Sequence, residues 1–167
     1  MTLAQADSET EKLRALVTVV NLQRRRGDYP AGLSAARDGL VRARQIGERR
    51  LEVDFLYLLG RLYWNLTDYP RSLEHHLEEL RLAEQLGEAS TLARTHGGLG
   101  LTYQRFGRQE DALSHFKLGL EFAAKAGDVR IRSSLLNSLG NYYLAAGANE
   151  QARTVHEEAL KIREGYG

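Results

Sequence analysis

Histidine is the residue type here best able to move protons or hold a metal, and the chain has five: His75, His76, His96, His115 and His156. His75 and His76 are adjacent, so on a helix they point to different faces and cannot share one ion. No His-Glu-x-x-His string sets two imidazoles one turn apart around a zinc with a carboxylate base. His96, His115 and His156 lie far apart, and nothing local pairs any of them with a nucleophile. There is no cysteine, which excludes disulfides and thiolate metal sites. Gly97-Gly98-Leu99-Gly100 would cradle a phosphate only after a strand, and no strand pattern precedes it. The expectation is no catalytic residue, no metal, no cofactor, and no enzymatic activity.

Charge and hydropathy narrow the partners. The formal net charge is +1, which argues against nucleic acid as a partner. No stretch approaches the roughly 20 apolar residues of a membrane span. Met1 to Asp7 lacks a basic region followed by an apolar core, so no secretory leader is read there. The compartment expected by default is cytoplasmic, with an extracytoplasmic location open if the chain is a piece of a longer protein. A hydrophobic content of 43% suffices for a buried core and argues against wholesale disorder.

The elements that must position any binding residue are set by punctuation. The chain has two prolines and sixteen glycines. Few prolines suit helices, whereas many glycines harm them unless each has a place. Read at an offset of 40 residues, Leu59-Gly60-Arg61-Leu62-Tyr63 becomes Leu99-Gly100-Leu101-Thr102-Tyr103, then Leu139-Gly140-Asn141-Tyr142-Tyr143. Gly47, Gly87, Gly127 and Gly167 share one register; Gly27, Gly107 and Gly147 share another, with Thr67 in its remaining slot. Such a repeat denotes one supersecondary unit stacked on its copies. Within a unit, Leu56, Leu59, Tyr63 and Leu66 recur at helical steps, and Leu73, Leu77 and Leu80 mark a second helix. Asp28-Tyr29-Pro30 and Asp68-Tyr69-Pro70 open second helices, with Asp as the cap and Pro in the first turn. The spacing predicts helices at about 9–26, 29–46, 51–66, 69–86, 91–106, 109–126, 130–146 and 149–165. Short connections make neighbours antiparallel.

These residues resemble the tetratricopeptide repeat. Leu-Gly-x-x-Tyr, the turn Gly, and Ala112 and Ala152 in the second helices carry the likeness over nearly the whole chain. Asn137-Ser138-Leu139-Gly140-Asn141-Tyr142-Tyr143 is similar to a string typical of its longer-period variant. The first unit departs, with Val19-Val20 for Leu-Gly and Gln23 for the Tyr. His76 and His156 stand where the family has a large apolar residue, as Phe116 does in the third unit. The resemblance implies an all-α fold, a right-handed α-solenoid of four antiparallel helix pairs. Residues 1–167 would form a single such domain, with units at about 9–47, 48–87, 88–127 and 128–167.

The resemblance also implies a concave side, lined by first helices, that holds an extended or helical peptide. Carried over residue by residue, that side has Arg14, Asn21, Arg24 and Arg25 in the first unit. The second supplies Asp54, Tyr57, Arg61, Trp64 and Asn65, the third Arg94, Gln104 and Arg105, and the fourth Asn137 and Asn141. Six arginines against one acid suit a carboxylate-bearing partner, because the guanidinium fork pairs bidentately. Asn and Gln can bond a peptide backbone, and Trp64 and Tyr57 offer anchor area. The expected partner is therefore a protein or an acidic peptide. Gly97 leaves a hollow in that wall for a ligand side chain or a neighbouring helix. Glu74, Glu78 and Glu79 on a second helix are expected to face solvent.

Charge differs along the chain, +4 over residues 1–50 (ten Lys/Arg, six Asp/Glu) and −5 over 51–90 (three, eight). Adjacent units therefore attract. The resemblance leaves a second reading open, a sensory or regulatory domain cut from a larger bacterial signalling protein such as a kinase, nucleotide cyclase or transcription regulator. No polar capping helix follows Glu164-Gly165-Tyr166-Gly167, which would leave Leu160, Ile162 and Tyr166 at or near an open end; either more protein follows in the parent chain, or that end pairs with another copy as a homo-oligomer.

Overall fold

The computed structural model describes residues 3–165; Tyr166 and Gly167, invoked above for the chain's end and the glycine register, lie outside the described residues. Eight helices and no strand are present among them: α1 Leu3–Arg26, α2 Tyr29–Ile46, α3 Arg49–Asn65, α4 Tyr69–Leu86, α5 Ala89–Arg105, α6 Gln109–Ala126, α7 Val129–Ala145 and α8 Asn149–Glu164. The expected starts and stops hold to within two residues, except that α1 begins six residues earlier. None of these helices is long and apolar enough to cross a membrane.

The helix ends follow the chemistry of the residues found there. Asp28 caps α2 by accepting from the Ala31 N–H at 3.3 Å, and Asp68 accepts from Arg71 N–H at 3.2 Å. Asp128 does the same for α7 through Ile131 N–H at 3.0 Å. Each satisfies an amide that has no partner within its own helix. Gly47 closes α2 with φ 76°, its N–H reaching back to the α2 carbonyls, a conformation that side chains resist.

The one non-glycine residue with positive φ among those described is Thr67, at φ 61°. It occupies the slot held elsewhere by Gly27, Gly107 and Gly147. A β-branched residue there is strained by about 1 kcal/mol or more. Thr67→Gly is therefore expected to raise stability by about 1 kcal/mol, read as a higher urea midpoint. An unchanged midpoint would show that the turn carries no strain.

The chain divides into two compact units, residues 1–86 and 87–167. In the first, α1 packs on α2, α2 on α3, α3 on α4, and α1 also meets α3. The second repeats the scheme with α5 to α8. Leu13, Val20, Phe55, Leu56, Leu59 and Leu62 fill the first core, and Leu99, Phe116, Leu135, Leu136 and Leu139 the second. Small residues let the paired helices close: Gly60 faces the His76 ring, Gly100 the Phe116 ring and Gly140 the His156 ring. His76 and Phe116 thus fill the apolar slot expected of them, with no exposure.

Glu79 overturns one expectation. Glu74 is exposed and Glu78 reaches Arg44 at 2.5 Å, but Glu79 is fully buried. Its Oε2 lies 2.8 Å from Nδ1 of His76. The cause is register: His76 takes a core slot, and a residue three further on shares its face.

Candidate functional site

Because α1 and α3 lie side by side in the first unit, side chains from both can meet on one face. Arg24 of α1 and Tyr57 and Arg61 of α3 do so. Arg61 Nη1 donates to Tyr57 Oη at 3.4 Å, and its guanidinium stands 5.9 Å from the Tyr57 ring centre. Burial, and next the positive charge of Arg61, hold the Arg24 guanidinium below its ordinary value. Two cations are therefore kept close enough to oppose each other.

Buried polar atoms without a partner within the protein occur on both helices. Nε of Arg24, Nε of Arg61, Oδ1 of Asn65 and Oε1 of Gln23 all lack a hydrogen bond. A buried polar group without a hydrogen bond costs about 1–3 kcal/mol, a cost that a water molecule or a ligand group placed there offsets. Paired guanidiniums, an amide carbonyl and a tyrosine ring together suit a carboxylate held on a peptide.

The other residues carried over for this unit are placed less tightly. Arg14 and Arg25 are exposed. Asn21 Nδ2 donates to Val17 O at 3.3 Å within its own helix. Asp54 is drawn to Arg50 at 3.7 Å. Trp64 is half-buried. Gln23, which departs from the tyrosine of the pattern, lies beside Gly32, and adjacency to Arg24 does not bring its amide to the same face.

In the second unit Arg94 and Gln104 are half-buried, whereas Arg105 and Asn141 are exposed. Asn137 lies 3.4 Å from His156 Nδ1 through its Oδ1 and lines a cavity on α7 and α8. The hollow at Gly97 is occupied from within: a Cβ there would sit 2.7 Å from Leu135 Cδ2. A neighbouring helix, not a ligand, enters it.

His96 and His115, which spacing did not join, face each other across α5 and α6. Their Nδ1 atoms are 2.8 Å apart, so one must donate while the other accepts. His96 also stacks on Phe122 at 5.6 Å, and His115 on Tyr103 at 5.2 Å. Burial and the charge of His115 push His96 down to about 4. His115 is lowered by burial, against the opposing pull of Asp111. No group of three or more His, Cys, Asp or Glu that could hold a metal occurs among the described residues.

Comparison with known proteins follows the same outline. Family models described as tetratricopeptide repeat match residues 51–125 and 133–165. A curated relative, response regulator aspartate phosphatase A of Bacillus subtilis (strain 168), is 26% identical over 113 residues, 66% of this chain and 30% of that protein. The chain thus spans about a third of that relative's length. Among solved structures, BtubC (BKLC) from P. vanneervenii superposes with a TM-score of 0.76 at 23% identity, covering 97% of this chain and 72% of that one. The apo form of RapI gives 0.80 at 18% identity, covering 93% and 57%. At those identities the likeness bears on fold alone.

Proposed function

Because the chain belongs to the tetratricopeptide repeat family, a family of protein-interaction scaffolds, we propose that it binds an acidic, extended peptide segment of a partner protein through the Arg24–Arg61 cluster, without catalysis. The observation that carries the reading is the pair of opposed guanidiniums with buried, unpartnered donors beside them. An incoming carboxylate relieves both penalties at once: it screens the two cations and accepts their free N–H groups. Tyr57 and Trp64 supply flanking apolar area. Arg14 and Arg25, exposed on the same helix as Arg24, contribute a favourable field that speeds encounter more than it strengthens the complex.

The similarity to a protein named as a response regulator phosphatase favours a second, compatible reading, that the bound partner is a component of a signalling system and binding regulates it.

The test is fluorescence anisotropy with a labelled peptide of alternating Glu and Ala, and a Gln control of equal length. Arg24→Glu with Arg61→Glu is expected to weaken the acidic peptide at least about tenfold, or 1.4 kcal/mol, and to flatten its salt dependence. Equal affinity for the Gln peptide, or an unchanged salt slope in the variant, would remove the basis for an acidic ligand.

A further inference from the structure

Tyr63 of α3 is buried, with 4% exposure, yet its hydroxyl meets an exposed arginine. Arg37 of α2 donates to Tyr63 Oη through Nη2, and its guanidinium carbon stands 5.9 Å from the ring centre. From α4, the His75 imidazole stacks on the same ring at 5.4 Å, with the planes 8° apart. The Arg71 guanidinium stands 5.5 Å from that ring centre. Arg71 and His75 are one turn apart, so they share a face of α4. Three helices thus bring two guanidiniums, an imidazole and a phenol hydroxyl together around one ring.

The cluster is rich in donors that no acceptor takes up. Arg37 meets no carboxylate among the described residues, and the Tyr63 O–H has no acceptor within the protein. Nδ1 of His75 is buried without a hydrogen bond within the protein. Asp68 accepts from Nη1 of Arg71 at 3.1 Å, which leaves the other N–H groups of that guanidinium open. Nearby acids are engaged elsewhere, Asp38 with Arg42 at 2.9 Å and Glu78 with Arg44 at 2.5 Å, and Glu74 is exposed. Arg71 also lies in the first turn of α4, where the aligned peptide dipoles favour an anion.

The second unit supplies an internal comparison. Forty residues on, Tyr103 and His115 make the same stack, at 5.2 Å and 12°. There Nδ1 of His115 is met by His96, whose counterpart by register is Leu56. In the sequence, Leu77 holds the place of Arg37, and Asp111 that of Arg71. The stack therefore belongs to the repeat and forms without this pair of arginines. The guanidiniums are what the first unit adds to it.

We propose that Arg37, Tyr63, Arg71 and His75 form a binding site for a phosphate monoester. A planar carboxylate is satisfied by one guanidinium fork. Donors arriving from three helices suit an anion with three acceptor oxygens and close to two negative charges, and two guanidiniums match that charge. The site shares no residue with the Arg24–Arg61 cluster and does not rest on it.

The test is isothermal titration calorimetry of the full chain at pH 7.5 with O-phosphoserine and with glutamate, both as free amino acids. Phosphoserine is expected to bind at least about tenfold tighter than glutamate. Arg37→Leu with Arg71→Asp, which gives the first unit the residues of the second, is expected to remove that binding with the circular dichroism spectrum unchanged. Tyr63→Phe keeps the ring and its packing, and is expected to weaken phosphoserine about threefold or more. Arg24→Glu with Arg61→Glu is expected to leave the affinity within about twofold. A phosphoserine flanked by alanines in a peptide, titrated into that last variant, separates the sources of the ligand. Affinity at least about tenfold above the free amino acid marks a phosphorylated partner chain, and equal affinity marks a small phosphate ester. Equal binding of phosphoserine and glutamate, no binding of phosphoserine at about 10 mM, or an affinity insensitive to Arg37→Leu with Arg71→Asp would overturn the proposal. So would a loss confined to Arg24→Glu with Arg61→Glu, because the anion would then sit in the other cluster.

Discussion

Gly39→Val is expected to lower the stability of the first unit by about 3 kcal/mol or more. A Cβ at this position meets three carbons of the Phe55 ring at 2.3, 2.3 and 2.8 Å, closer than any real contact. Phe55 has no exposure, so its ring has no open space to enter. Either the ring is displaced from its seat or α2 and α3 separate, and each route gives up buried apolar area. Glycine's own weakness in a helix offsets little of this, since valine is only slightly better. Gly140→Ala provides the contrast. Its Cβ would meet the His156 ring at 2.4 Å, but that ring is half-buried and can swing toward solvent. Alanine also recovers about 1 kcal/mol of helix propensity, so the net change should stay within about 1 kcal/mol. Urea unfolding followed by circular dichroism measures both. Adding Phe55→Leu to Gly39→Val should restore part of the loss, as expected of two residues in contact. If it restored nothing, the effect would lie in the α2 helix and not in its packing on α3.

These packing contacts mark where sequence reasoning stops. Asp28, Asp68, Pro30, Pro70 and the glycine registers act locally, through caps and turns, so they locate helix ends to within two residues. The early start of α1 escaped because Leu3 to Ser8 carries no apolar periodicity and no cap. Phe55 and Gly39 sit 16 residues apart on different helices, and size complementarity across that gap leaves no periodic trace. Glu79 was legible in principle. Once His76 is assigned to a core slot, the i, i+3 rule brings Glu79 to the same buried face.

The candidate site divides along the same line. Arg24, Tyr57 and Arg61 could be named from the family pattern, but their mutual approach depends on how α1 lies against α3. Arg14 and Arg25 carry the same pattern and yet remain exposed; for Arg25 the reason is that it neighbours Arg24, and neighbouring positions on a helix diverge by about 100°. Gln23 shows that a departure from pattern can mark a buried polar group, here an amide oxygen in a tyrosine slot without a hydrogen bond within the protein. His96 offered a similar clue. Its counterparts at the same register are Leu56 and Leu136, both core residues, so an imidazole there must be buried and neutral.

That burial makes the second unit acid-sensitive in a defined window. His96 is only 6% exposed and is held at about 4, against 6.5 for the free side chain. Between those values the unfolded chain binds the proton more readily, so stability falls as the pH drops. Above about 6.5 the stabilisation is complete, and below about 4 it is gone. The full span corresponds to about 3 kcal/mol, of which about 2.5 is lost at pH 4.5. His115 adds to the trend in the same direction, because its charged form is also disfavoured. Carboxylates contribute their own acid response, so the test must isolate this pair. His96→Leu places at 96 the residue found at 56 and 136, keeps the slot apolar and removes the titration. Half-buried His115 can then turn its Nδ1 to water. The variant should lose about 2 kcal/mol of the stability difference between pH 7.5 and pH 4.5, measured by amide exchange in α5 and α6, with α1 to α4 as the internal reference. A pH dependence in α5 and α6 identical to that of the unaltered chain would mean that His96 is protonated without cost, and that the imidazole pair does not require neutrality.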